Sequence, residues 1–179
     1  MKLLNKVIKM AKFFQPLRLI LNSILKLDLD TIALQITRNN LLKTLVIKLN
    51  TEGLPTSQLY EKGEDSFGKK LSGKSIAIDG EYTPFTKQLK QEKGQPTDRI
   101  TLKDTGEFYL TFEVIPFKGG FEIHADGFKK GVDGGEGNND LFEEFGEDVL
   151  GLNQENLQII IEFYKNAIQE KIQQKLRAA

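Results

Sequence analysis

Two stretches with the apolar spacing of helices, residues 31–50 and 153–177, bracket a middle that offers only one pair of alternating segments. In the first, Ile32, Ile36, Leu42, Leu45, Val46 and Leu49 recur at close to 3.6 residues. In the last, Leu157, Ile160, Ile161, Tyr164, Ile168, Ile172 and Leu176 do the same behind Asn153, a strong N-cap. Between them Phe108, Leu110, Phe112 and Val114 alternate towards Phe117, and Lys118-Gly119-Gly120 reads as a tight turn. Phe121, Ile123 and Ala125 alternate on the return. Two strands alone are marginal in water, so helices must cover one face. The expected fold is α+β: a small antiparallel sheet with hairpin 108–126 at its centre, packed by helices. It carries a helical N-terminal arm and a long C-terminal helix, with one domain spanning 31–179.

The punctuation fills in the rest. Thr31, after Asp28 and Asp30, suits the N-cap of a helix over 31–50, and Gly53 and Pro55 close it. A helical turn is expected near Ser57–Glu61, then loop from Gly63 to Glu81 with a short strand at Ser75–Ile78. Thr83-Pro84 predicts a helix start and Gly94 its end. Gln95–Asp98 and Lys103–Gly106 read as turns. Residues 127–139, rich in glycine and acid and without periodicity, read as a mobile loop, and Leu141–Phe145 as a short helix closed by Gly146.

Composition excludes several chemistries. No cysteine means no disulfide framework and no thiolate, and one histidine, His124, excludes a multi-histidine metal site. His124 falls on the strand face opposite Ile123. The 25 Lys/Arg balance 25 Asp/Glu, which gives no overall field for nucleic acid. The balance conceals segregation. Residues 1–50 hold nine Lys/Arg and two Asp, whereas Asp126–Asp148 holds eight acids against Lys129 and Lys130. Residues 1–30 read as a basic amphipathic arm, broken at Pro16. Arg18, Asn22 and Lys26 interrupt its apolar run and no small-residue cleavage site follows, which argues against a leader or a membrane span. Its composition is more apolar than a free tail tolerates. The expected contact sets Lys6, Lys9, Phe13, Phe14 and Arg18 against acids such as Glu143 and Glu144 of another subunit. DNA is a weaker partner for the same lysines, and a partner- or membrane-surface-binding module using this helix is one function the arm allows.

Two motif-like stretches fail on context. Residues 131–140 are acidic and glycine-rich, but their oxygen ligands do not fall at calcium-loop positions. Gly68–Ser75 satisfies G-x-x-x-x-G-K-S, yet a polar segment precedes it and a short strand follows, where a nucleotide site needs a buried strand and a long helix. No carboxylate pair is set in an apolar pocket. No catalytic residue, cofactor or metal is expected.

From Gln58 onward an ordered set of motifs stands out. Leu59-Tyr60 with Gly63 comes first, then Gly80-x-Tyr82-x-x-x-Thr86-x-x-x-Lys90 and a Gly-Gln-Pro turn. Leu102-Lys103-Asp104-Thr105-Gly106-Glu107-Phe108-Tyr109 follows, then the hairpin, Leu141–Gly146, and Leu150-Gly151-Leu152 before the last helix. Over about residues 55–177 this order resembles the virion-morphogenesis, or tail-completion, proteins of tailed bacteriophages. The N-terminal arm and the acidic glycine loop depart from the family pattern. The resemblance implies a non-enzymatic virion protein, made in the host cytoplasm. It would form part of a homo-oligomeric ring in the head–tail neck, joining the portal side to the tail beside other neck, portal or tail proteins. The family-like positions are Tyr82, Thr86, Lys90, Leu102, Asp104, Thr105, Gly106, Phe108 and Tyr109.

Overall fold

The computed structural model describes residues 28–73, 77–78, 81–130 and 136–177. The expected arm, with Lys6, Lys9, Phe13, Phe14 and Arg18, therefore lies outside the described residues. The fold is α+β, with short antiparallel strand pairs, several helices and a long C-terminal helix.

Residues 31–50, expected to be one helix, form two: α1 (Leu29–Thr37) and α2 (Asn40–Asn50). Asn39 makes the break. It adopts an extended backbone and its side chain accepts from Leu41 N at 2.8 Å, which gives α2 its own cap. A short amide side chain competes with the helix in this way. The cap of α1 is Asp28, not Thr31. Asp28 accepts from Thr31 N at 3.1 Å and from the Thr31 hydroxyl at 2.6 Å, and these bonds hold its carboxyl below the usual range. The break lets both helices meet the hairpin and the last helix.

The hairpin is shorter than expected. Strand β3 (Glu113–Phe117) pairs with β4 (Gly120–His124), in the order of the chain after β1 (Ala77–Ile78) and β2 (Glu81–Tyr82), a two-residue pair. Its register sets Val114 opposite Ile123 and Pro116 opposite Phe121. Residues 107–110 are helical instead of extended. Helix α3 (Pro84–Glu92) starts at Thr83 as the sequence predicts, and α4 (Glu107–Leu110) follows Gly106. Phe108, Tyr109 and Phe112 are buried, a helical i, i+1, i+4 set, and Leu110 is 86% exposed. Phe108 and Phe112 satisfy either period; Tyr109 decides between them.

The segment 127–139, expected as a loop, contains β5 (Phe128–Lys130) paired with β6 (Glu136–Asp140). The pair is tied at its base. Asp126 accepts from Phe128 N at 3.0 Å and Gly127 O accepts from Leu141 N at 2.9 Å. Gly127 is required there, since a Cβ would lie 2.6 Å from Asp140 and from the Phe142 ring. Helix α5 (Leu141–Phe145) ends at Gly146, and a 3-10 turn spans Glu147–Val149.

Helix α6 (Gln154–Arg177) starts at Asn153, whose side chain accepts from Asn156 N at 3.0 Å. Its inward face is turned by about one position from the expected stripe. Asn156 and Ile160 are buried, Ile161 is half-buried and Leu157 is exposed. Burying Asn156 is the cause. Its amide donates to Leu49 O at 3.1 Å, a carbonyl in the last turn of α2 with no partner in its own helix, and to Thr56 O at 2.9 Å in the turn that follows. Asn50 donates to Val149 O and Gly151 O at 3.2 and 2.7 Å, and Gln58 accepts from Asn153 N at 2.7 Å.

Two hydrophobic clusters result. An aliphatic one gathers Ile32, Ile36, Leu42, Val46, Leu49, Val114 and Ile160 from α1, α2, β3 and α6. An aromatic one gathers Leu59, Phe108, Tyr109, Phe112, Leu141 and Val149 from turns and short helices. Ile47 and Ile123 pack against both.

Candidate functional site

Three of the residues singled out in the sequence, Tyr82, Lys90 and Tyr109, converge on Thr101, which is fully buried. All of its polar groups are engaged. Its backbone N donates to the Tyr82 hydroxyl at 3.3 Å, and its carbonyl accepts from the Tyr109 hydroxyl in a short bond. Its Oγ1 accepts from Lys90 Nζ at 3.0 Å and from Lys103 N at 3.3 Å. Lys90 Nζ also donates to Gln95 Oε1 at 3.1 Å and stands 5.0 Å from the centre of the Tyr82 ring, in cation–π range.

Local sequence explains the placement. Thr83 caps α3 by accepting from Thr86 N at 3.3 Å, and Pro84 occupies the first turn. Thr86 and Lys90 then fall one turn apart on the same face. The chain enters the Thr101 segment where Gly63, at φ 60°, brings its Cα against Ile100 O; a Cβ would lie 2.9 Å from that oxygen. Leu102, at φ 52°, is the only non-glycine residue with positive φ among those described. This conformation turns the chain out of the buried segment into the Asp104-Thr105-Gly106 turn. There Asp104 pairs with Lys93, Thr105 accepts from Glu107 N at 3.3 Å, and Gly106 takes φ 92° before α4.

Burial raises the Tyr82 phenol to about 12, against the opposing pull of its bond from Thr101, and raises Tyr109 further in the same direction. Both are neutral hydrogen-bonding groups at ordinary pH.

Beside this node a pocket of about 250 Å³ opens between α3 and α5. Thr86, Leu89 and Lys90 form one wall and Leu141, Glu144 and Phe145 the other, with Ile100 and Leu102 also lining it. Tyr82 and Asp104 reach it as well, so five of the nine family-like positions border one cavity. Thr105 and Gly106 form the adjoining turn. Phe108 and Tyr109 belong to the aromatic cluster, where Phe108 and Phe112 meet edge to face with centroids 5.1 Å apart. Of the acids expected at an interface, Glu144 lies on the pocket wall and Glu143 is exposed on α5. Sequence reasoning missed Thr101, Leu141 and Phe145 as contributors. Thr101 carried a usable signal: a hydroxyl between Ile100 and Leu102, in an otherwise apolar stretch.

The remaining candidates are placed without chemistry. Gly68 lies in a tight turn in which Asp65 accepts from Phe67 N and Lys69 N, both at 2.9 Å. A helical turn of π type, Gln58–Lys62, precedes it where a nucleotide loop needs a strand; Lys74 and Ser75 lie outside the described residues. His124 is exposed, 3.0 Å from Glu122. Among the described residues no three His, Cys, Asp or Glu side chains are grouped to hold a metal ion, and no helix is long and apolar enough to cross a membrane. Comparison with known protein families, curated proteins and solved structures gives no match to this chain.

Proposed function

We propose that this chain is a structural subunit of the head–tail neck of a tailed bacteriophage, where copies form a ring between portal and tail. The observation that carries the reading is the convergence at Thr101. Of the residues by which the sequence resembles tail-completion proteins, Tyr82, Lys90 and Tyr109 hydrogen-bond to one buried threonine, and Tyr82, Thr86, Lys90, Leu102 and Asp104 border the pocket beside it. A motif spread over nearly thirty residues has a physical reason to stay together if it builds a single docking element. The chemistry of the unit fits assembly better than catalysis. The Lys90 ammonium is held by Thr101, Gln95 and the Tyr82 ring, and Tyr82 and Tyr109 are phenols far from ionisation. Catalytic groups need pKa values near working pH. Closed rings require head-to-tail contacts between unlike surfaces, which a chain with separated basic and acidic regions supplies.

The test is mass spectrometry of purified tailed particles from a culture carrying the gene. The chain is expected in the particles at a ring-like copy number comparable to that of the portal subunit. Its absence from intact particles defeats the reading.

A further inference from the structure

The pocket between α3 and α5 is built to receive something. No residue of α3 is buried, and Phe85 and Leu89, one turn apart on it, are 70% and 40% exposed, with Leu89 on the cavity wall. A nine-residue helix that leaves its large apolar side chains uncovered is an unfinished contact. The opposite wall, α5, belongs to a stretch of extreme charge: residues 131–164 hold nine Asp/Glu and no Lys or Arg. Glu143, Glu147 and Asp148 on that side make no ion pair among the described residues.

The complement is in the same chain. Residues 1–27 hold six Lys/Arg and no acid, and 19 Lys/Arg against 25 Asp/Glu remain in 28–179. The first segment is therefore +6 and everything after it −6. Up to the break at Pro16 its apolar residues Leu3, Val7, Met10 and Phe14 recur at alternating intervals of four and three, the spacing of a narrow seam that fits between two helices, and Leu17 follows directly after the proline. A phenylalanine or leucine from such a seam is of a size to enter a cavity of about 250 Å³. The flanking lysines would then face the acids of α5.

We propose that residues 1–27 of one copy seat in the α3–α5 pocket of the next, with the Phe14–Leu17 region entering between Leu89 and Phe145. The proposal rests on the ring reading for the choice of a neighbouring copy as donor. Each copy then offers a segment on one side and a pocket on the other, a head-to-tail contact that propagates until the ring closes.

The chain lacks cysteine, so every disulfide joins introduced residues, and the single variants Phe14→Cys and Leu89→Cys, which can form only symmetric bonds, are expected to give no ladder. The full-length double variant Phe14→Cys/Leu89→Cys, oxidised at high protein concentration, is expected to give covalent dimers and a ladder of larger species that reductant collapses. The Leu17→Cys/Phe85→Cys pair guards against loss of folding in the first and is expected to do the same. Cross-linking is expected to fall as ionic strength approaches about 1 M, where the Debye length is about 3 Å. The control Phe14→Cys/Leu157→Cys, with Leu157 also 40% exposed, is expected to give at least tenfold less. Failure of both pairs, or equal yield from the control, overturns the pocket. A cross-linked product of monomer size overturns the neighbouring copy as donor. Particle mass spectrometry is independent of all three results, so the neck reading can stand while this contact falls.

Discussion

The aliphatic and aromatic clusters reach similar burial by opposite means. The aliphatic one draws its residues from regular elements of 9, 11 and 24 residues, α1, α2 and α6, plus the hairpin. Each of these presents a stripe and the stripes meet. The aromatic one draws on helices of four and five residues, α4 and α5, and on two tight helical turns. None of these holds its shape alone, since the first helical turn costs more than it returns. Their order comes from polar groups that each have one place to go: the Tyr109 hydroxyl on Thr101 O, the Tyr82 hydroxyl under Thr101 N, and Lys90 between Thr101 and Gln95. Where the elements are long, hydrophobic period specifies them. Where they are short, hydrogen bonds converging on one buried residue take over.

Three measurements press on this contrast. The largest effect is expected from Phe112→Ala, which removes a ring packed against Phe108 and Tyr109 and leaves irregular elements unsupported. It should cost about 3–5 kcal/mol in urea unfolding. Ile161→Ala, half-buried on α6, should cost no more than about 2 kcal/mol; equal losses would remove the distinction.

A smaller effect is expected at high pH. Tyr82 ionises near 10.0 when exposed and near 12 in the fold, so the unfolded chain loses its proton first. Its contribution is fully present below pH 10 and is lost as pH rises through about 12, with Tyr109 acting in the same direction. Tyrosinate absorbance should therefore contain a component, lost in Tyr82→Phe and Tyr109→Phe, that appears only together with loss of helical circular dichroism. Appearance of that component near pH 10 in a folded chain would remove Tyr82 and Tyr109 from the node.

The smallest effect is expected from Leu110→Ser. On the outer side of α4, 86% exposed, it should change stability by less than about 0.5 kcal/mol. A loss of about 2 kcal/mol would put residue 110 back on the inner face of a sheet.

Legibility in the sequence follows the same division. The caps at Thr83 and Asn153, the turn at Gly119 and the short helix ending at Gly146 were readable because one residue type answers one local need. The break at Asn39 shows in the sequence as a slip of phase, since the interval of six from Ile36 to Leu42 turns a helix by about 240° and takes the two residues off a common face. The helical turn at 107–110 was misread because Phe108, Leu110 and Phe112 alternate as a strand does, and only the burial of Tyr109 breaks the tie. The pocket was half legible. Tyr82, Thr86 and Lys90 share a helical spacing and could be grouped, whereas Leu141 and Phe145 reach it only through tertiary folding. Thr101 showed only as a hydroxyl between Ile100 and Leu102; that Tyr82, Lys90 and Tyr109 would all need its atoms is set by tertiary folding.

The amides of Asn50, Gln58 and Asn156 carry a consequence for the chain as it is made. Their bonds join the end of α2 and the turn after it to residues 149–156, spanning 95 to 107 residues of sequence. The carbonyls of Leu49 and Thr56 therefore have no side-chain amide to meet until the start of α6 has been synthesised. α1 and α2 can form early, but their end stays wet, and the aliphatic cluster stays open where Ile160 closes it. Long-range contacts of this kind slow folding. A nascent chain of this protein should thus remain sensitive to protease at residues 50–58 until the start of α6 has left the ribosome, and become resistant in one step.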